Sequence, residues 1–201
     1  MIKTVLFDFG GVLGPVGRPG FISKVVADLC GRPPAEVFFA DLAPSLRGTP
    51  SEETAFFDEL NRRYKANITA QQFLDKCFES FQPSSEVYEM ASQLRQSGLQ
   101  TGIFSNVFSI NAREIQRRGL YDGFDPLILS CYEKLAKPDP RFYRVALQKL
   151  KHKPQEILFI DDQPLFLEPA KLLGIHTVLA ENPDQIVADT LKLLREQGNN
   201  L

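Results

Sequence analysis

Apolar positions along the 201-residue chain follow two periods. One is continuous: short β-branched runs without a polar break, the pattern of strands buried on both faces. Residues 2–7 (IKTVLF) form the first such run; 101–104 (TGIF), 126–130 (PLILS), 156–160 (EILFI) and 176–180 (HTVLA) form four more. The other period is helical. Ser84 or Ser85 caps a helix through EVYEMASQLRQS, with Gly98 just past its end. FSINAREIQRRG (108–119) follows the second strand, and PRFYRVALQKL (140–150) opens on Pro140 ahead of the fourth. PLFLEPAKLLG (164–174) lies between the fourth and fifth strands, where Pro169 is expected to bend the helix or delay its start. Asn182 and Pro183 open a last helix through about residue 197.

Strands that alternate with helices predict an α/β fold, a parallel sheet covered on both faces in a three-layer, Rossmann-like core. Residues 14–83 break the alternation. They hold the helical segments GFISKVVADLC, PAEVFFADL, EETAFFDELNRRY and TAQQFLDKCFESF and no convincing strand. Thr69 and Gln72 stand at capping-box spacing at the start of the last segment, and Phe73, Cys77 and Phe81 recur on one face of it. The expected organisation is a core of residues 1–13 and 84–201 with an α-helical unit, 14–83, inserted after the first strand. Its aromatics (Phe38, Phe39, Phe56, Phe57, Phe73) read as packing residues.

Composition narrows the function classes. Hydrophobic residues are 43% and charged residues 24%, ordinary for a soluble domain. A net charge of -2, a pI near 5.8 and the lack of a basic tract argue against nucleic acid or an anionic membrane as partner. No apolar run is long enough to span a bilayer. Residues 1–13 are interrupted by Asp8, carry only Lys3 ahead of the run and have no small-residue cleavage site, so the expected location is cytoplasmic. Cys30, Cys77 and Cys131 are scattered, as are His152 and His176, which argues against a disulfide framework or structural zinc. His176 starts a strand and reads as structural; His152, in KHK, reads as a solvated turn.

In a parallel sheet, ligands bind beyond the carboxyl ends of the strands. The residues found there are Asp8 (in DFGG), Ser105 (in IFSN), Lys137 (in SCYEKLAKPDP) and Asp161 with Asp162 (in FIDD). Each alone has a plain reading: a turn-forming Asp, a helix N-cap shared by Ser105 and Asn106, a solvated lysine, a pair of helix-capping acids. Together, in this order, they resemble the four motifs of the haloacid dehalogenase-like (HAD) hydrolase superfamily, and the resemblance covers nearly the whole chain, including a helical cap inserted after the first motif.

The resemblance implies roles. Asp8 is the nucleophile and forms an aspartyl-phosphate. Mg2+ is held by Asp8, the Gly10 carbonyl, Asp161 and Asp162. The Gly10-Gly11 turn, Ser105, Asn106 and Lys137 bind the phosphoryl group of a small phosphorylated metabolite. A phosphate dianion with three carboxylates carries roughly −5, of which Mg2+ and Lys137 offset about +3. Catalysis thus falls to Asp8, Ser105 and Lys137, in a monomer or homodimer.

One position departs from the pattern. Most phosphatases of the superfamily carry a second Asp two residues after the nucleophile, and here that residue is Gly10. General acid–base assistance is worth about 10²–10⁴ in rate. Three readings follow: a phosphatase whose leaving groups depart easily or whose acid comes from the cap; a dehalogenase, against which the FIDD acids count; or a catalytically weak binding protein that kept the fold. Arg18 and Arg47, from the cap, and Glu168 are further candidates near the substrate or the site.

Overall fold

The computed structural model describes residues 1–15, 20–37, 47–79 and 81–200. Five strands form one parallel sheet: β1 (Thr4–Phe7), β2 (Gln100–Ser105), β3 (Leu127–Leu129), β4 (Ile157–Asp161) and β5 (His176–Leu179), in the spatial order β3-β2-β1-β4-β5. Each falls on an apolar run expected to be a strand. The reason is visible in β1, whose four residues are all buried because helices cover both faces.

Alternation along the strands sorts the core into two layers. Val5, Phe7, Ile103, Leu158 and Ile160 face one side, with Val87, Met90 and Leu94 of α4 (Ser85–Gln96) and Ile186 and Leu194 of α9 (Pro183–Glu196). Leu6, Phe104, Ile128 and Phe159 face the other, with Phe142, Tyr143 and Ala146 of α7 (Pro140–Leu150) and Leu167 and Ala170 of α8 (Pro164–Leu172). This is the three-layer α/β core expected. Two shorter helices complete it, α5 (Ser109–Arg117) after β2 and α6 (Ser130–Glu133) after β3.

Between β1 and α4 the chain is helical: α1 (Phe21–Cys30), α2 (Pro50–Tyr64) and α3 (Ala70–Phe78), with a 3-10 turn at Pro34–Glu36. The expected capping box of Thr69 with Gln72 is present, and Thr49 forms a second one with Glu52. Phe56, Phe57 and Phe73 pack edge to face and the first and last are fully buried, so they are core. Phe38 and Phe39, with Arg18, lie outside the described residues. The points where the chain leaves and rejoins the sheet are tied together: Ser84 N donates to Leu13 O at 2.9 Å, and the Phe81 ring lies where a Gly14 side chain would be.

Two expectations need correcting. Of the two effects expected of Pro169, a bend or a delayed start, the delay does not occur: α8 starts at Pro164 and runs through the proline. The donor that proline lacks would have served the carbonyl of Leu165, an exposed residue. His152 is not a free turn residue: its Nδ1 lies 2.7 Å from Thr4 Oγ1, pinning the 150s turn beneath β1. Among the described residues no helix is long and apolar enough to cross a membrane.

Candidate active site

The sheet changes winding direction between β1 and β4: from β1 the chain runs outward to β2 and β3, then returns to the other side of β1. A crevice forms at such a point, beyond the strands' carboxyl ends. Phe7 pairs with Ile160 across it, and Asp8 N donates to Ile160 O at 2.9 Å, so Asp8 and Asp161 are set side by side by backbone register.

Lys137 reaches the same point from the loop before α7. Its Nζ lies 3.1 Å from Asp8 Oδ1, 2.5 Å from Asp161 Oδ2 and 3.0 Å from the Phe104 carbonyl that it donates to. The whole side chain is buried, as are Asp8 and Asp161. Burial alone would pull the lysine pKa down, but the Asp161 and Asp8 carboxylates outweigh it and hold the value above that of an ordinary lysine. Burial pushes Asp161 up, and Asp8 beside it adds to this against the pull of Lys137. Asp161 Oδ1 also accepts from Gln163 N at 2.8 Å, which fixes the carboxyl plane ahead of α8.

Asp8, Asp161 and Asp162 each offer an oxygen within 4.8 Å of the others. One ammonium against three carboxylates leaves the cluster short of positive charge. An all-oxygen donor set with that deficit suits a hard divalent cation such as Mg2+. The turn after β1 makes room for it. Gly11 has φ +78°, and a Cβ there would lie 2.2 Å from Asp162 Oδ2; glycine is needed for the backbone and for the space alike. The Gly11 N–H is already spent, donating to Gly14 O at 2.8 Å, so this amide shapes the turn and is not one of the expected phosphate donors.

Ser105 ends β2 and is buried at the same edge of the sheet. Asn106 does not cap α5, whose N-cap is Phe108. Its amide binds the Lys137 backbone in both directions, Nδ2 donating to Lys137 O at 2.9 Å and Oδ1 accepting from Lys137 N at 2.8 Å. The loop after β2 therefore sets the base of the lysine. Arg47 pairs with Glu52, and Glu168 pairs with Lys171 on the exposed side of α8.

A residue that pattern reading passed over is Glu53. It is buried on α2, and its Oε1 accepts from Ile110 N, in the first turn of α5, at 2.8 Å. Ser109 N donates to Gly48 O at 2.9 Å beside it. The segment 48–53 is thus fastened to the start of α5, which follows the loop after Ser105 and Asn106. The signal was available: Glu53 shares the buried face of α2 with Phe56 and Leu60, an acid at an apolar position.

The chain is 31% identical over 206 residues to mouse acyl-CoA dehydrogenase family member 10, a match covering 96% of this chain and 19% of that protein. The chain thus spans about a fifth of that relative's length. A predicted HAD-like family hydrolase from Porphyromonas gingivalis has the same fold, with a TM-score of 0.78 and 28% identity, covering 98% of this chain and 100% of that one. A HAD family enzyme from Bacteroides thetaiotaomicron, solved with magnesium and inorganic phosphate, superposes with a TM-score of 0.71 at 22% identity, covering 90% and 96% of the two chains. The family model of haloacid dehalogenase-like hydrolases matches residues 2–174, which takes in Asp8, Ser105, Lys137, Asp161 and Asp162. The chain belongs to the haloacid dehalogenase-like hydrolases.

Proposed function

We propose that this hydrolase is a Mg2+-dependent phosphatase of small phosphorylated metabolites, with Asp8 as its nucleophile. The observation that carries the reading is the group at the sheet's switch point: buried Lys137 paired with buried Asp8 and Asp161, and Asp162 with an oxygen within 4.8 Å of theirs. The three-acid cluster favours phosphoryl transfer over halide displacement, which needs no cation. The magnesium and phosphate in the Bacteroides enzyme support the same choice.

Asp8, Asp161 and Asp162, with the Gly10 carbonyl, would hold Mg2+. The ion supplies charge neutralisation that lets a carboxylate approach a phosphate dianion. Asp8 attacks phosphorus, the bond to the leaving oxygen breaks, and the phosphoryl group rests on the Asp8 carboxylate. Lys137 offsets charge on Asp8 and on the phosphoryl oxygens, and Ser105 holds one of those oxygens. Asn106 fixes the backbone of Lys137. Water then hydrolyses the aspartyl-phosphate. Helices α1–α3 act as the cap over this reaction, hinged where residues 13–14 meet 81–84 and located with the core in the cytoplasm.

Gly10 supplies no acid to the leaving group. The preferred substrates are therefore those whose leaving group is a weak base, such as acyl phosphates and sugar 1-phosphates. The test is hydrolysis of an aryl phosphate with Mg2+ and with chelator, beside Asp8→Asn. Metal-dependent turnover that the variant loses supports the reading. Turnover that survives Asp8→Asn overturns the nucleophile assignment.

A further inference from the structure

The Lys137 ammonium is held from two sides by different chemistry. On one side are oxygens: Asp161 Oδ2 at 2.5 Å, the Phe104 carbonyl at 3.0 Å and Asp8 Oδ1 at 3.1 Å. Asp161 and the Phe104 carbonyl accept hydrogen bonds from it, and Asp8 meets it as an ion pair. On the other side are rings. Nζ lies over Phe104, Phe159 and Phe166, at 5.5, 5.1 and 5.1 Å from their centroids. A ring face is the one apolar surface that attracts a cation, because its quadrupole is negative there. Aliphatic side chains would fill the same space without that attraction.

The three rings do not have equal structural duties. Phe104 and Phe159 come from the central strands β2 and β4, pack on each other at 5.1 Å and belong to the main core. Phe166 sits in the first turn of α8, four residues after Asp162, at the rim of the buried region. Its backbone is anchored separately, since its carbonyl accepts from Tyr143 Oη at 2.5 Å. The side chain can change without loss of that bond.

We propose that Phe166, with Phe104 and Phe159, forms an aromatic cage that positions the Lys137 ammonium against Asp8, making Phe166 a positioning residue for phosphoryl transfer. The catalytic part rests on the phosphatase reading above; the cage does not. Lysine has a flexible four-carbon stem. Its contact with Asp161 is the shorter one and is kept when the cage opens. The longer contact with Asp8 is lost first, and that is the contact the reaction uses.

The test compares wild type with Phe166→Leu, Phe166→Tyr and Phe166→Trp, by kinetics and by NMR. With an aryl phosphate and Mg2+, Phe166→Leu lowers kcat about tenfold, as loss of one cation–π contact allows, with KM changed less than about threefold. Phe166→Tyr or Phe166→Trp restores most of the rate. Independently of turnover, ring currents shift the Lys137 ε-protons upfield, a signal identified by its absence in Lys137→Met. Phe166→Leu moves that signal toward the ordinary lysine position, and the aromatic variants keep it. If Phe166→Leu does not fold, Phe166→Met, close in volume and without a ring face, serves in its place. An unmoved lysine signal in the leucine variant overturns the cage. A moved signal with unchanged kcat overturns the positioning role. An inactive wild type that shows the expected shifts overturns the phosphatase reading and leaves the cage standing.

Discussion

Gly11 and Asp162 share one space: a Cβ on the glycine would lie 2.2 Å from the Asp162 carboxylate oxygen. The turn after β1 and the acid after β4 are fitted to each other, so a change in the turn reaches the proposed cation site. Gly11→Ala is expected to weaken Mg2+ binding about 10- to 100-fold, as displacing a ligand's support does. Gly98→Ala is the control. Gly98 also has positive φ, at +85°, but a Cβ there meets nothing within 4 Å. Both variants carry backbone strain of about 1–3 kcal/mol, and only the first loses metal affinity by calorimetry.

Lys137 is the counter-charge that allows Asp8 and Asp161 to be buried together. Lys137→Met leaves those carboxylates facing each other without it. The expected loss is about 3–5 kcal/mol in metal-free buffer, read from urea midpoints. Adding Asp161→Asn to that variant restores part of the stability and none of the activity. Full stability in Lys137→Met would show that the acids are not held ionised at this point.

Glu53 links α2 to the first turn of α5, just after the loop behind Ser105. Glu53→Ala removes the acceptor for Ile110 N–H and is expected to cost about 1–3 kcal/mol. Glu53→Gln keeps a side-chain oxygen and is expected to lose less. If the loop depends on the link, KM for the aryl phosphate rises in the alanine variant more than in the glutamine variant. Equal KM values across the three proteins would reduce Glu53 to a packing role.

The cysteines give a pH-dependent prediction. Burial raises the Cys77 thiol to about 12 and Cys131 to about 11. An unfolded thiol ionises near about 8.5. The folded-state values are the higher ones, so this contribution to stability is full below that pH and is lost as pH rises above it. Urea midpoints are expected to fall between pH 8 and 10, and to fall less in Cys77→Ala. At neutral pH a disulfide reagent modifies Cys30, the only partly accessible cysteine of the three, ahead of the others. Cys77 and Cys131 react at the rate of unfolding.

Much of this was legible in sequence because the sheet is parallel and covered. Runs such as IKTVLF and EILFI had no polar break, and the polar residue after each strand marked one end of the sheet. Asp8, Ser105, Lys137, Asp161 and Asp162 could be picked out by their places after the strands, and their order carried the family resemblance. What could not be read were partnerships between distant segments. Asn106 looked like a cap and instead holds the Lys137 backbone. His152 looked solvated and meets Thr4. Glu53 was passed over and serves Ile110, 57 residues away. Periodicity says which face is buried and nothing about what meets it there.

The central claim is that the Asp8 carboxylate attacks phosphorus. It is tested most directly by trapping the intermediate. Protein incubated with an aryl phosphate and Mg2+ is acid-quenched, reduced with borohydride and mapped by mass spectrometry. Reduction converts an aspartyl-phosphate to homoserine. The account predicts homoserine at position 8 in wild type, and none with chelator or in Asp8→Asn. Metal-dependent turnover with position 8 unmodified, or homoserine at Asp161 or Asp162 instead, would contradict it.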